Sequence, residues 1–329
     1  MNMGLTELEQ VNAIIALSKR IEGWPSTLAD HGYSLDRIEL KLKVSDPSAP
    51  GVSKVVNPDL LFVADTRNFS LMVELKSGTF NYHVIEQADG LVRVTPLELV
   101  RGGRVSLHTA ANVMTHRISS MVVINHEYLT DYLVEFKNAA CVASLVSISS
   151  DVIQAHHGTM ADAPLDAEFK RGMGISQTFL PTKLVRVLPT TNNEIELVDV
   201  IVSTVMELWV RNERSVTAQR VAERLFTNDW GSYWELFDTD AQKRFLDVAH
   251  DTLKDMHQTE FNPYLGTVPG AWNEWRLLKL PEAEGQNQTK AYKAFQRAAQ
   301  EYKWRRRNKH EYRGRHIDQL TLEDIEGFM

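Results

Sequence analysis

Residues 57–80 read NPDLLFVADTRNFSLMVELKSGTF, and the two apolar runs inside this stretch, 60–63 and 71–73, decide the fold. The first run is apolar on both parities, and Val73 and Leu75 bracket Glu74. That pattern describes central strands covered on both faces. Between the runs, Thr66, Arg67 and Asn68 form a polar, turn-prone break. Two antiparallel strands with a tight connection fit best. Folding the hairpin about Arg67-Asn68 pairs residues whose numbers sum to 135, so that Asp59 stands opposite Lys76 and Leu61 opposite Glu74. Glu74 and Lys76 are two apart in one strand and point to the same face. All three charges then share that face, with Asp59 diagonal to Glu74 within about 7–8 Å at the backbone.

Such a constellation has chemical meaning. Two carboxylates at that separation can hold a hard divalent cation, Mg²⁺ or Mn²⁺, which accepts one or two carboxylates and keeps other positions for water and phosphate. The Lys76 ammonium beside them can orient or deprotonate a bound water, or balance charge in a phosphoryl transition state. A plain surface ion pair is the competing account. It fits the apolar surroundings poorly, because a buried charge is costly unless it is paired or bound to an ion.

Pro58-Asp59, followed fifteen residues after Asp59 by Glu74-Leu75-Lys76, resembles the PD-(D/E)xK nuclease superfamily with its restriction-endonuclease-like fold. The resemblance covers about the first half of the chain. It implies a metal-dependent phosphodiesterase core in which Asp59, Glu74 and the Leu75 carbonyl are metal ligands and Lys76 is the catalytic lysine. In that family a first helix often adds an acid to the metal set. Residues 5–21 have helical apolar spacing with Glu7 and Glu9 in the opening turns, and Glu9 is the one assigned to the site. Both acids are also favoured there simply by the helix dipole. Gln87, eleven residues beyond Lys76, is a candidate catalytic residue at the site's edge. The tyrosine that follows such a glutamine in some of these nucleases is replaced by Leu91.

The order of elements suits this reading. Residues 34–44, SLDRIELKLKV, alternate as a strand with one wet face, and residues 45–53 form a loop. After the hairpin come a helix over 82–92, strands at 121–125 and 142–149, and a helix at 127–137 between them. From 151 to 181 the pattern weakens; His156-His157 reads as a loop pair and 183–188 as a strand. The fold class expected is therefore α/β: a restriction-endonuclease-like mixed central sheet flanked by helices, over residues 1–189.

Residues 190–281 suggest a second, mainly helical domain of winged-helix type. Helices fall at 198–210, 215–226 and 239–256, followed by a Gly- and Pro-punctuated β-ribbon over 261–280. Its third helix is acidic, with Asp240, Asp247, Asp251 and Asp255, which suits protein contact nearly as well as base readout.

The chain has 329 residues and a net charge of −7, with 43% hydrophobic and 24% charged residues, which suits a soluble two-domain protein. Its one cysteine, Cys141, excludes an internal disulfide framework and lies in an apolar run as a buried thiol. No apolar run approaches a membrane span and no leader is evident, so a cytoplasmic protein without a membrane partner is expected. Positive charge is concentrated in 303–315, KWRRRNKHEYRGR, which carries +6 while the rest carries −13. Within the final segment, 282–329, residues 282–289 read as a loop and 292–307 as a helix. Its Lys303, Arg305, Arg306, Arg307, Lys309 and Arg313 are the candidate nucleic-acid contacts, with Tyr302, Trp304 and Tyr312 interleaved.

The reading that follows is a metal-dependent nuclease acting on nucleic acid, DNA first. The alternative is a non-catalytic nucleic-acid-binding or assembly protein on the same scaffold. Nucleases of this type are often joined to a helper ATPase in bacterial defence or mobile-element systems. This chain has no Gly-Lys-Ser/Thr phosphate loop of its own, so a helper ATPase or other subunit, or a second copy of the chain, is a candidate partner.

Overall fold

In the structure, a computed structural model, the described residues are 4–45, 53–101, 110–176, 181, 184–278 and 286–308. They form two compact units, Met1–Leu188 with Asn228–Thr239, and Pro189–Thr227 with Asp240–Met329.

The first unit is mixed α/β. Its elements run α1 (Glu7–Ala16), α2 (Thr27–Asp30), β1 (Ser34–Ile38), β2 (Leu42–Ser45), β3 (Ser53–Val56), β4 (Leu60–Ala64), β5 (Phe69–Lys76), α3 (His83–Val92), α4 (Pro96–Arg101) and α5 (Ala110–Thr115). They continue with β6 (Arg117–Asn125), α6 (Leu129–Asn138), β7 (Ser144–Ile148), β8 (Val152–His157), α7 (Ala163–Arg171) and β9 (Met173–Gly174). One seven-stranded sheet has the order β1-β4-β5-β6-β7-β8-β9. Strands β5, β6 and β7 are parallel, and the remaining neighbours are antiparallel.

Local chemistry explains these elements. Thr6 and Glu9 close a reciprocal capping box at the start of α1. Strand β4 is buried on both faces, as is β5 from Ser70 to Leu75. Leu61, Val63 and Met72 pack with Leu91 of α3, while Val84 and Ala88 of the same helix pack with Val122, Ile124 and the α6 residues Tyr132 and Phe136. Helices α3 and α6 therefore cover the face that carries Met72 and Val122.

The hairpin register differs from the sequence expectation. Leu60 pairs with Val73 and Leu61 with Met72, a sum of 133. The connection is four residues, a 3₁₀ turn at Asp65–Arg67 closed by Asn68 at φ 56°, a left-handed position that asparagine tolerates. A shift of two leaves every side chain on its face but changes every partner.

Residues 34–44 are two strands rather than one. Glu39 adopts φ 52° and its N–H donates to the Asp59 carbonyl at 2.7 Å, while the Leu40 N–H donates to the Pro58 carbonyl at 3.0 Å. Past this break, β2 pairs with β3 in a separate hairpin. Residues 152–174, expected to be irregular, form β8, α7 and β9, with Ile153 and Ala155 as the buried positions of β8. No strand forms at 184–188, and 182–183 lie outside the described residues. Residues 228–239 fall in the first unit: Phe237 bridges Ile38, and the buried Asp238 accepts from the Lys41 N–H at 3.3 Å.

The second unit contains α8 (Glu194–Val210), β10 (Ser215–Val216) and α9 (Ala218–Leu225). The short strands β11 (Thr227–Asn228) and β12 (Gly231–Ser232) lie where the chain passes between units. Then follow α10 (Thr239–Gln258), β13 (Leu265–Val268), β14 (Ala271–Leu277) and α11 (Gln286–Arg307). A three-stranded sheet has the order β10-β14-β13. Asn193 and Glu196 cap α8 reciprocally. Helix α11 starts at Gln286, inside the expected loop, and belongs to this unit. Its Phe295 stacks on Trp209 of α8 at 4.5 Å and meets Phe261 edge-on at 5.1 Å.

Candidate metal site at the end of the central hairpin

The ladder between β4 and β5 ends at Leu60 and Val73, and Asp59, just beyond it, is tied to β5 through its side chain, close enough to Glu74 and Lys76 to feel both charges. The sequence expectation set Asp59 opposite Lys76; the four-residue turn shifts the register by two, so that pairing does not form. Asp59 is held by its neighbours. The Leu75 N–H donates to its Oδ2 at 2.6 Å, and its backbone carbonyl takes the Glu39 N–H. Glu74 is 2% exposed, and its Oε1 lies 2.6 Å from Lys76 Nζ.

The electrostatics follow from this placement. Burial pushes the Asp59 carboxyl well above the usual carboxylate range and the Glu74 charge pushes it further, against the pull of the Leu75 amide and of Lys76. Burial likewise raises Glu74, with Lys76 opposing. Burial acts to lower Lys76, but Glu74 beside it outweighs that and the net shift is upward. Three acids surround one ammonium, because Glu7 of α1 adds its charge to Asp59, Glu74 and Lys76 alike.

Glu9, the helix acid assigned to the metal set, is placed elsewhere. Its carboxylate accepts from the Thr6 N–H and hydroxyl at 2.8 and 2.9 Å, as the capping box requires, and the acid that the site feels is Glu7. Gln87 stands half-buried on α3 and makes no hydrogen bond to Asp59, Glu74 or Lys76.

Two polar residues that the sequence reading missed tie α1 to the end of β5. Gln10 Nε2 donates to the Lys76 carbonyl at 3.2 Å and to Asn125 Oδ1 at 3.1 Å. Asn125 also accepts from the Leu5 N–H at 3.0 Å and donates to the carbonyls of Leu5 and Ser77 at 2.9 and 3.0 Å. Gln10 Oε1 is buried and finds no partner. The available signals were the i, i+3 spacing of Glu7 and Gln10 and a single polar residue ending the apolar run MVVIN.

Among the described residues no three His, Cys, Asp or Glu side chains are gathered as around a metal ion. Asp59, Glu74 and the Leu75 carbonyl still fit Mg²⁺ or Mn²⁺ chemically, since such a cation needs only one or two carboxylates and offsets the burial that raises both.

The expected nucleic-acid contacts on α11 have partners within the second unit. Arg305 binds Glu260 at 2.7 Å and Asp255 at 2.9 Å, Arg306 pairs with Glu194, and Arg307 pairs with Asp199. Lys303 Nζ donates to Ser203 Oγ at 2.9 Å. These side chains fasten α11 to α8 and α10 within the second unit, with Asp255 the α10 acid they engage. Lys309 and Arg313, with Tyr312, lie outside the described residues.

Residues 6–150 match the MJECL32 domain family, a stretch shorter than half of the chain that contains Asp59, Glu74 and Lys76. No curated protein and no solved structure matches the chain.

Proposed function

We propose that the first unit is a metal-dependent phosphodiesterase of PD-(D/E)xK type that hydrolyses nucleic acid. The observation that carries this reading is the buried acid Asp59 at the end of the central hairpin, bonded to the Leu75 amide and within reach of the Glu74 charge, with Lys76 bonded to Glu74. Lys76 is bonded to Glu74, so Asp59 keeps a buried charge that a bound cation would answer. The order of elements lends further support: α1, the meander β1-β4-β5, then α3 and the parallel strand β6 follow the helix, three strands, helix, strand sequence of a restriction-like core.

A bound divalent cation supplies Lewis acidity and a lowered pKa for its water. Asp59 and Glu74 would hold it, with Asp59 fixed by the Leu75 amide. Lys76, held by Glu74 and with its pKa raised, stays protonated, which suits it to stabilise developing negative charge on phosphate rather than to act as a base. For the second unit, the order α8, β10, α9, α10, β13, β14 with the sheet β10-β14-β13 supports a winged-helix reading. Given its acidic α10, a module for protein contact or spacing is the better assignment.

Purified protein incubated with plasmid DNA, single-stranded DNA and RNA in Mg²⁺ or Mn²⁺, against EDTA, tests the proposal. Metal-dependent cleavage that disappears in Glu74→Ala is expected. Absence of cleavage on all three substrates with either metal, or cleavage that persists in Glu74→Ala, sinks it.

A further inference from the structure

Outside the acidic pair, the polar cluster with the most definite geometry is His126, Ser147 and His156. Ser147 is fully buried at the end of β7, and its Oγ lies 3.1 Å from His126 Nδ1 and 2.8 Å from His156 Nε2. The rings stand 6.1 Å apart between centroids. A hydroxyl has one proton and two lone pairs, so Ser147 fixes the orientation of both rings. His126 Nε2 and His156 Nδ1 take no part in this network, and neither is among the buried atoms without a partner.

The placement of His156 is specific. Strand β8 pairs Ala155 with Val146 and His157 with Leu145, which makes His156 the extra residue of a β-bulge. Bulges re-aim side chains and recur beside active sites. His126 follows the last residue of β6, directly after Asn125 of the network that holds α1 to Lys76 and Ser77.

The cluster also lines up with the acidic pair. Lys76 pairs with Ile124, and Ile124 pairs with Ser147, so the three share one row across parallel strands. Two strand spacings separate Lys76 from Ser147, about 10 Å. This row lies at the carboxyl ends of parallel strands, where open α/β sheets bind their ligands.

We propose that His126 and His156 form an anion subsite that takes a phosphate of the same nucleic-acid strand whose phosphodiester is cleaved at Asp59, Glu74 and Lys76. The subsite rests on the phosphodiesterase reading for its ligand and on the imidazole geometry for its place. Protonation turns both outward nitrogens into donors, so affinity for phosphate falls as pH rises through the imidazole range. Burial and the neighbouring His126 both lower His156, which sets the working range on the acid side. Titratable groups on the elements packed there are Glu127 beside His126, Asp131, Glu135 and Lys137 on α6, Asp166, Glu168, Lys170 and Arg171 on α7, and Asp151 and His157 at the two ends of β8, with Asp166 paired to Lys170 and Glu168 to His31. Asp151 is bonded to Ser149, and His157 to the Cys141 carbonyl. Glu127 is bonded to Tyr128.

Two measurements test this. First, histidine ring resonances of the whole protein are followed by NMR while inorganic phosphate is added at pH 6 and pH 8. Shifts at His126 and His156 that saturate at pH 6 and weaken at pH 8 are expected. Rings that do not respond, or respond no more than the exposed His83, overturn the subsite whether or not the chain is a nuclease. Second, the double variant His126→Gln, His156→Gln is compared with wild type on a short oligonucleotide in Mg²⁺. KM is expected to rise about tenfold with kcat retained. A cleaving wild type with unchanged KM in the variant overturns the subsite and leaves the nuclease reading standing. A wild type that never cleaves, yet shifts both histidines with phosphate, sinks the nuclease reading and keeps the anion site.

Discussion

The Asp59 carboxylate accepts the Leu75 backbone N–H at 2.6 Å, so the residue before β4 is fastened to the middle of the Glu74-Leu75-Lys76 triplet. That bond fixes one carboxylate within reach of another's charge in a setting that penalises both. Stability of the metal-free protein should therefore depend on pH in a defined direction. Both carboxyls have folded pKa values above the ordinary range, so the folded state holds protons that the unfolded state has lost. Their contribution is fully present below the ordinary carboxylate range and is lost as pH rises through the raised folded values. Asp59→Asn keeps an acceptor for the Leu75 amide and removes the charge. The advantage of Asp59→Asn over wild type in urea midpoint should grow between about pH 4 and pH 8, and Mg²⁺ should shrink it. A difference that stays flat with pH would contradict the electrostatic account.

Loss of the ammonium should be separable from loss of a carboxylate. Lys76→Ala removes the 2.6 Å partner of Glu74 and leaves the two acids proposed to hold a cation, so metal binding should persist while turnover falls about 10²-fold or more. Glu74→Ala should remove both. Calorimetric titration with Mn²⁺ beside the cleavage rate distinguishes them; equal metal affinity in all three proteins would remove Glu74 from the site.

Much of this arrangement was legible in the sequence because strand parity survives errors of register. An even shift cannot move Glu74 or Lys76 to another face, so the shared face of Asp59, Glu74 and Lys76 was readable even though their partners were not. The partners depended on how Asp65 to Asn68 turn, and a left-handed asparagine has no periodic signature. Residues 152–157 were harder: VIQAHH carries its strand in only two buried positions, and the bulge at His156 breaks the alternation that would reveal it. The partners of the basic run were hidden for a different reason. Charge in a sequence does not show its counter-charge, and the acids that answer Arg305, Arg306 and Arg307 lie 45 or more residues away.

Asn125 should matter to both stability and site geometry. It is 3% exposed and makes four hydrogen bonds, to Leu5, Gln10 and Ser77. Asn125→Ala strands buried donors and acceptors at a cost of about 1–3 kcal/mol. It also frees the start of α1, and with it Glu7. An urea midpoint lowered accordingly, together with weaker Mn²⁺ binding, is expected. A variant with wild-type stability would mean that α1 is held by other contacts.

The three arginines of α11 should differ from one another in stability rather than act as one nucleic-acid patch. Arg305 is largely covered, with a side chain 20% exposed, and it joins Asp255 on α10 to Glu260 just beyond it. Its guanidinium also lies over the Tyr302 ring, 5.0 Å from the centroid. Arg305→Ala leaves two acids facing each other at a packed helix surface, and should destabilise the protein by about 1–3 kcal/mol. Arg307 is 49% exposed, so its pair with Asp199 is screened by solvent. Arg307→Ala should change stability by less than about 1 kcal/mol. If instead these side chains held phosphates, both variants would flatten the salt dependence of oligonucleotide binding by about 0.9 log unit per contact on duplex, with little effect on folding. Urea unfolding and binding at several salt concentrations, run on the same two variants, decide between the accounts. A stable Arg305→Ala with a reduced salt slope would return the segment to nucleic-acid binding.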